Sequence, residues 1–178
     1  MALTVFDKTF VPYMDAAAIA VRVRELAATI SADYAGKKPL FLGILNGSFI
    51  FAADLFRELT IEAEISFVKL ASYKGVSSTG HVVTAIGLEE SLHERHIVIV
   101  EDIIDTGRTM DSFLKEVARQ GPASVRIATF LTKPDALQVP DLKADYIGFE
   151  IPNRFVLGYG LDYDGYGRNT RDLYVLEG

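Results

Sequence analysis

Hydrophobic runs along the chain predict a series of short strands. The run 40–45 is continuously apolar, which is typical of a strand covered on both faces of a sheet. Residues 97–100 are all β-branched, which also favours a buried strand. Further strands are predicted at 9–11, 65–71, 82–86, 125–131, 146–149 and 156–159.

Apolar residues at helical spacing predict helices between these strands. The first helix begins at the N-cap Asp15 and ends near Tyr34. The second follows a tight turn at 46–48, and the third ends before Gly121. The apolar stripes are Ile19, Val23, Leu26 and Ile30, then Phe49, Ala52, Ala53, Phe56 and Leu59, then Met110, Phe113, Leu114, Val117 and Ala118.

The alternation of strands and helices predicts the α/β fold class, with a mostly parallel sheet flanked by helices. Ligands of such folds bind at the carboxyl ends of the strands. Polar turns at 46–48, 101–109 and 132–134 each follow a predicted strand, so we expect them to meet at this edge. The polar, Gly- and Ser-containing segment 72–81 lies between two predicted strands and is expected to be a mobile loop.

The composition changes this picture mainly by exclusion. With 178 residues, the chain is expected to form a single domain over 1–178. A net charge of −6 without a Lys/Arg cluster argues against binding to nucleic acid. No apolar run is long enough to span a membrane, and no signal peptide is evident. The chain contains no cysteine, and a cytoplasmic location is expected.

The stretch from Glu101 to Thr109 carries the densest candidate chemistry. Its Asp-Thr-Gly-Arg-Thr turn leads from a strand into a helix, where backbone amides can hold a phosphate. The spacing of a P-loop is absent, and an ordinary turn capped by Thr109 or Asp105 fits the pattern equally well. Glu101 and Asp102 are either a solvated pair or, beside a phosphate, partners for sugar hydroxyls or Mg²⁺.

Two residues outside this stretch also admit two interpretations. Lys133 follows a predicted strand, and it is either a surface lysine or a ligand contact at the edge of the sheet. Phe155 stands among polar residues and is either a core residue or a platform on which a flat ligand stacks.

The segment 98–109, Val-Ile-Val-Glu-Asp-Ile-Ile-Asp-Thr-Gly-Arg-Thr, resembles the motif by which type I phosphoribosyltransferases bind phosphoribosyl pyrophosphate (PRPP). The paired isoleucine is most similar to the hypoxanthine-guanine branch of that family. Other segments resemble further parts of this branch, in the expected order. They are a pyrophosphate loop at Leu45, Asn46 and Gly47, the start of a mobile catalytic loop at Ser72 and Tyr73, and purine-binding segments at Lys133, 147–152 and 155–163.

The resemblance implies a role for each matching residue. Glu101 and Asp102 would meet the ribose hydroxyls, partly through Mg²⁺. Asp105 would be the catalytic residue, exchanging a proton at purine N7. The turn that holds the 5′-phosphate would comprise Asp105, Thr106, Gly107, Arg108 and Thr109.

The resemblance also implies the contacts of the other two substrate groups. Lys133 would contact the oxygen on purine C6, Phe155 would stack on the base, and the Val156 backbone would contact its edge. Asp162 would help to hold a second Mg²⁺ through water, and Arg168 would reach the pyrophosphate. Relatives often carry Lys or Arg where this chain has Asn46, so pyrophosphate contact there would rest on backbone amides. The 45–46 peptide is often cis in the family.

The implied reaction is purine salvage, in which the phosphoribosyl group of PRPP passes to hypoxanthine or guanine and gives IMP or GMP and pyrophosphate. The implied partners are PRPP, 6-oxopurine bases, Mg²⁺ and further copies of the chain in a homodimer or homotetramer. The fold would have a core at about 15–135 and a small hood from about 1–14 and 136–178. The alternatives are a non-catalytic PRPP-sensing regulator and a xanthine phosphoribosyltransferase. The intact 72–81 segment and Asp105 favour an enzyme, and Lys133 and Phe155 argue against a pyrimidine substrate.

Overall fold

A computed structural model of the chain describes residues 1–74 and 81–178. A 3₁₀ helix, Pro134–Ala136, follows the seventh strand. The remaining elements are β1 (Leu3–Val5), β2 (Lys8–Met14), α1 (Ala16–Asp33), β3 (Leu40–Leu45), α2 (Phe49–Glu58), β4 (Glu64–Lys74), β5 (His81–Ile86), β6 (His96–Ile104), α3 (Arg108–Arg119), β7 (Ser124–Thr132), β8 (Tyr146–Glu150), β9 (Val156–Leu157) and β10 (Leu173–Leu176).

The larger sheet has the strand order β5-β4-β3-β6-β7-β8. Strands β4, β3, β6, β7 and β8 are parallel, and β5 is antiparallel at one edge. Residues of β6 alternate between two cores: Val98 and Val100 pack with α1 and α2, whereas Ile97 and Ile99 pack with α3. Helices therefore cover both faces of the sheet, which confirms the predicted fold class.

The smaller sheet joins the two ends of the chain. Its strand order is β1-β2-β10-β9, and its pairs are antiparallel. It stands where a hood was expected from 1–14 and 136–178, although β8, within the second of these ranges, pairs with β7 in the larger sheet. Strand β2 runs past residue 11, where the predicted strand ended, and includes Pro12. Since β1 pairs only with residues 8–10, one side of β2 is open at the proline.

The predicted core side of α2 is wrong in part. The buried side of α2 is formed by Phe51, Ala52 and Leu55, whereas Phe49 and Ala53, predicted to be on the core stripe, are exposed. Aromatic residues at both 49 and 51 made the orientation of this short helix ambiguous.

Both ends of the predicted loop 72–81 belong to strands. Ser72 and Tyr73 lie in β4, paired with Val83 and Val82 of β5, and His81 already belongs to β5. Residues 75–80 of the predicted loop lie outside the described residues. Within the described ranges, the helices are all too short or too polar to cross a membrane.

Candidate active site

The turn between β6 and α3 lies at the carboxyl edge of the larger sheet. Strand β6 continues to Ile104, so the turn is shorter than predicted, and Glu101 and Asp102 belong to the strand. The N-cap of α3 is Gly107, at a φ of +79°, rather than Asp105 or Thr109. No side chain caps the helix, so its first-turn amides stay available for an anion.

A cavity of about 120 Å³ is open at this turn. Among its lining residues are Glu101, Ile103, Asp105, Thr106, Gly107 and Thr109. Arg108 is exposed and does not line the cavity, although its amide lies 3.5 Å from Thr106 Oγ1. The structure thus brings Glu101, Asp105 and the predicted phosphate turn together around one space, and neither Asp102 nor Arg108 lines it.

The segment after the 3₁₀ helix supports the phosphate turn from behind. A Cβ at residue 107 would lie 2.7 Å from Leu142 Cδ2 and 2.9 Å from Leu137 Cδ1, which leaves room only for glycine. The Gln138 amide also donates to the Thr106 carbonyl at 3.0 Å. The sequence did not predict this support, because residues 137–142 have no pattern that relates them to the turn.

Glu101 and Asp102 form a partly buried pair of carboxylates. The Asp102 amide donates to Glu101 Oε1 at 3.1 Å, and the Ile103 amide donates to Asp102 Oδ1 at 2.8 Å. Burial, and then the charge of Asp102, raise the pKa of Glu101 well above its usual range; burial also raises the pKa of Asp102. Two carboxylates that are hard to ionise together form a place where a cation or hydroxyl donors would be stabilised.

We expect Glu101→Gln to stabilise the protein at neutral pH in the absence of divalent cations. Because the pKa of Glu101 is raised, the folded state keeps a proton that the unfolded state has lost, so stability falls as pH rises above the usual glutamate range. Urea unfolding at a series of pH values should therefore show the wild type losing stability relative to Glu101→Gln as pH increases. Parallel pH profiles for the two proteins would contradict the raised pKa. Glu116→Gln, on the exposed side of α3, is the control.

Asp105 and Lys133 form an ion pair across the ends of β6 and β7. Lys133 Nζ lies 3.1 Å from Asp105 Oδ2, and the Lys133 amide donates to the Ile104 carbonyl at 3.0 Å. The lysine is only 7% exposed, so the interpretation as a surface lysine is wrong. A buried lysine beside a half-exposed carboxylate places a hydrogen-bond donor and an acceptor at one edge of the site.

The turn after β3 packs directly against Asp102. The Leu45–Asn46 peptide is cis, as the resemblance implied. A Cβ at residue 47 would overlap the Asp102 carboxylate, so the glycine at this position allows the turn to approach the acid pair. Asn46 is exposed. The carbonyl of Gly47 in turn contacts Gly160, which belongs to the loop after β9.

Arg168 and Asp162 are joined to this turn through the same glycine. Arg168 Nη1 donates to the Gly160 carbonyl at 2.7 Å, and Arg168 Nη2 pairs with Asp162 Oδ1 at 2.7 Å. The other carboxylate oxygen of Asp162 accepts from the Gly165 amide at 2.7 Å. Both oxygens of Asp162 therefore have protein partners, which is compatible with a metal contact through water.

Phe155 directly precedes β9 of the smaller sheet, and Val156 is the first residue of that strand. The Phe155 side chain is 41% exposed, so a core role is excluded, and its ring meets Tyr163 edge-on at 5.8 Å and Phe10 at 5.9 Å. Val156 is buried and pairs with Val175 of β10. An exposed ring held by two other rings is suited to stacking on a flat ligand.

A larger cavity, of about 260 Å³, lies next to the carboxylate site. It shares Ile104 and Lys133 with the surroundings of that site, and its other walls include Leu137, Leu142 and Ile147. Neither cavity is lined by Phe155, Val156 or Asp162. We assign the chemistry to the smaller cavity, because Glu101, Asp105 and the phosphate turn line it.

Comparisons with known proteins place this arrangement in a family. The sequence matches the family described as "Phosphoribosyl transferase domain" over residues 13–164. It is 43% identical over 155 residues to hypoxanthine-guanine phosphoribosyltransferase of Lactococcus lactis, covering 86% of this chain and 84% of that protein. It is 35% identical over 156 residues to hypoxanthine-guanine-xanthine phosphoribosyltransferase of Tritrichomonas foetus, covering 88% and 85%.

The fold is also that of a solved relative. The structure superposes on a crystal structure of hypoxanthine phosphoribosyltransferase from Staphylococcus aureus with a TM-score of 0.87 and 33% identity, over 94% of this chain and 91% of that one. The chain belongs to the phosphoribosyltransferase family. Within it, the chain falls in the hypoxanthine-guanine branch, as its sequence motifs implied.

Proposed function

We propose that this protein is a purine salvage enzyme that transfers the phosphoribosyl group of PRPP to hypoxanthine or guanine. The observation that carries the proposal is the arrangement around Asp105. In the chain it follows the carboxylate pair Glu101 and Asp102 and precedes the uncapped turn 106–109, and Glu101 lines the same cavity as this turn. Buried Lys133 is bonded to Asp105 itself. A phosphate, a sugar diol and a 6-oxopurine are the groups that these partners complement.

Each group of the substrates has a proposed partner. The amides of 106–109 hold the 5′-phosphate, and Glu101 and Asp102 accept hydrogen bonds from the ribose hydroxyls. These carboxylates also favour the positive charge that develops on the sugar as the bond at C1′ breaks. Arg168, held by Asp162 and Gly160, faces the departing pyrophosphate.

The residues present fit Mg²⁺ as the cofactor. The pKa of Glu101 is raised by burial and by Asp102, so the pair gains from a neighbouring cation. Within the described residues, no cluster of three metal-ligating side chains occurs, which fits an ion held by one or two carboxylates together with substrate oxygens. When bound, Mg²⁺ would stabilise negative charge on the pyrophosphate group. Glu101 and Asp102 are its proposed protein contacts, with Asp162 through water.

Selection of the base would rest on Lys133. Its ammonium group can donate a hydrogen bond but cannot accept one, so it favours an oxygen on purine C6 over an amino group. Phe155 would stack on the base, and the Val156 backbone would contact its edge. The assignment of hypoxanthine and guanine follows the branch of relatives, and a relative whose name includes xanthine leaves the order of preference to experiment.

Lys133→Ala is expected to weaken the selection for 6-oxopurines. Loss of a buried hydrogen bond from a charged donor costs about 1.5–3 kcal/mol, which corresponds to about 10- to 150-fold in kcat/KM for hypoxanthine. We expect the wild type to use adenine poorly, and this activity should change much less. Steady-state rates with each base would measure this, with the exposed Lys143 changed to Ala as the control. An equal loss for every base would remove Lys133 from base selection.

The direct test of the function is nucleotide formation. The protein is incubated with PRPP and Mg²⁺ and with hypoxanthine, guanine, xanthine or adenine separately, and nucleotide and pyrophosphate are measured. We expect IMP and GMP with an equal amount of pyrophosphate, and little AMP. PRPP binding without formation of any nucleotide would overturn the proposal. A homodimer or homotetramer and a cytoplasmic location stay predictions, the first of which light scattering can check.

A further inference from the structure

We propose that Tyr159 and Asp54 form a positioning pair that holds in place the groups proposed to contact pyrophosphate, Arg168 and the loop at Gly47. Tyr159 belongs to the loop after β9, in the smaller sheet, and Asp54 lies on α2, next to the larger sheet. Neither residue lines the smaller cavity, which Glu101 and the phosphate turn line. The proposal rests on the function proposed above and names a pair through which the hood is fixed to the core.

The hydrogen bond between the two side chains is buried on the tyrosine side, whereas the Asp54 side chain is 41% exposed and also lies 3.6 Å from Arg57. The Tyr159 hydroxyl donates to Asp54 Oδ2 at 2.8 Å, and Tyr159 is 5% exposed. Its ring lies 4.7 Å from the ring of Phe130, a buried residue of β7. Burial, followed by Asp54, raises the pKa of Tyr159 far above its usual value, so the hydroxyl stays protonated and remains a donor at working pH.

Tyr159 is held in an unusual backbone conformation between two glycines. The φ angles of Gly158, Tyr159 and Gly160 are +105°, +47° and +102°. Gly158 packs against the Asp172 carbonyl, and Gly160 packs against the Gly47 carbonyl. Any residue other than glycine at position 160 would place its Cβ against the carbonyl of Gly47 in the pyrophosphate loop. Tyr159 therefore lies between Gly158, which contacts the segment before β10, and Gly160, which contacts the loop after β3.

Gly160 connects this turn to the groups proposed to meet pyrophosphate. Its carbonyl accepts from Arg168 Nη1 at 2.7 Å, and its amide donates to the Arg168 carbonyl at 2.9 Å. The Gly47 turn, which it touches, packs on Asp102. A shift of Tyr159 would thus be passed to Arg168 and Gly47 together through direct contacts.

Asp54 connects Tyr159 to the pyrophosphate loop, because it lies on α2, which begins directly after that loop. Ser48 is the N-cap of α2, and its buried hydroxyl donates to the Ile44 carbonyl at 2.7 Å, across the loop. The Tyr159–Asp54 bond joins the hood to the helix, and the Gly160–Gly47 contact joins the hood to the loop. Two attachments fix a segment more closely than one, which is what a loop that must align pyrophosphate requires.

The test is a comparison of two conservative changes, Tyr159→Phe and Tyr146→Phe. Tyr146 is a matched control, because it is 4% exposed and its hydroxyl donates to Asp33 Oδ2 at 2.7 Å. It is the first residue of β8, so it lies at the amino ends of the parallel strands and away from the carboxyl ends that carry the site. We expect Tyr159→Phe to raise the KM for PRPP, and for pyrophosphate in the reverse reaction, about 10-fold. The KM for hypoxanthine should stay within about twofold, and Tyr146→Phe should leave all three values unchanged.

Two further variants keep the test decisive if Tyr159→Phe does not fold. Asp54→Ala should reproduce the selective rise in KM, and Asp54→Asn, which still offers an acceptor, should lie closer to the wild type. Equal rises for PRPP and hypoxanthine, an unchanged KM for PRPP, or the same selective rise in Tyr146→Phe would overturn the proposal.

Failure of the inference can be separated from failure of the function. If the wild type forms no nucleotide, the proposed function fails, whatever the variants show. Calorimetric titration of each protein with pyrophosphate and Mg²⁺ then still tests the positioning pair. Weaker binding to Tyr159→Phe than to Tyr146→Phe is the expected result, and equal binding would overturn it.

Discussion

Asp105→Asn is expected to lower kcat by about 10²- to 10⁴-fold, the range that a positioned acid or base contributes, while PRPP binding stays nearly intact. The asparagine has almost the same shape, so the turn 105–107 and the contact with Lys133 should persist. It cannot take up the proton at purine N7 in the way a carboxylate can. Single-turnover rates and calorimetric titration with PRPP and Mg²⁺ would separate the chemical step from binding.

The control for this change is Asp111→Asn. Asp111 lies in the first turn of α3 and pairs with the exposed Lys115, so it shares the helix but not the cavity. It should behave as the wild type. An unchanged kcat in Asp105→Asn would remove Asp105 from proton transfer, and a loss of PRPP affinity that accounts for the whole effect would make its role one of binding.

Gly47→Ala is expected to reduce kcat/KM for PRPP by at least about 100-fold. The added Cβ would overlap the Asp102 carboxylate, so either the pyrophosphate loop or the acid pair must move. A displacement of about 1 Å at such a position is enough to cost a factor of this size. The effect should be largest for PRPP and pyrophosphate, because the loop is proposed to contact pyrophosphate and Asp102 to help hold the Mg²⁺ that stabilises its charge.

The neighbouring change Asn46→Ala serves as the control in steady-state kinetics. The Asn46 side chain is exposed, and contact there is proposed to rest on backbone amides, so this variant should stay within a few-fold of the wild type. A Gly47→Ala enzyme with the kinetic constants of the wild type would show that the approach of the loop to Asp102 does not matter.

Much of the fold could be predicted from local pattern, because each signal acts within a few residues. The apolar run 40–45 and the β-branched run 97–100 became buried strands, and Asp15 caps α1 by accepting from the Ala18 amide at 2.8 Å. The strand order could not be read in this way. The pairing of β10 with β2 and β9 joins residues that are mostly far apart in sequence, and the short apolar run 173–176 was not predicted to be a strand.

The candidate site shows the same division. Glu101, Asp102 and the phosphate turn are contiguous, so one motif carried them. The ion pair between Asp105 and Lys133 depends on two parallel strands ending side by side. The contacts of Gly160 with Gly47 and of Tyr159 with Asp54 cross between the two sheets, and only the folded chain brings them together.

The central claim is that the end of β6 and the turn after it bind all three parts of the nucleotide, each through different residues. Glu101 and Asp102 take the sugar, Asp105 takes the base, and 106–109 take the phosphate. A crystal structure with IMP and Mg²⁺ tests this most directly. We expect the 5′-phosphate on the amides of 106–109, the ribose hydroxyls at the acid pair, and purine N7 within hydrogen-bonding distance of Asp105. A nucleotide bound with its phosphate away from this turn would contradict the account.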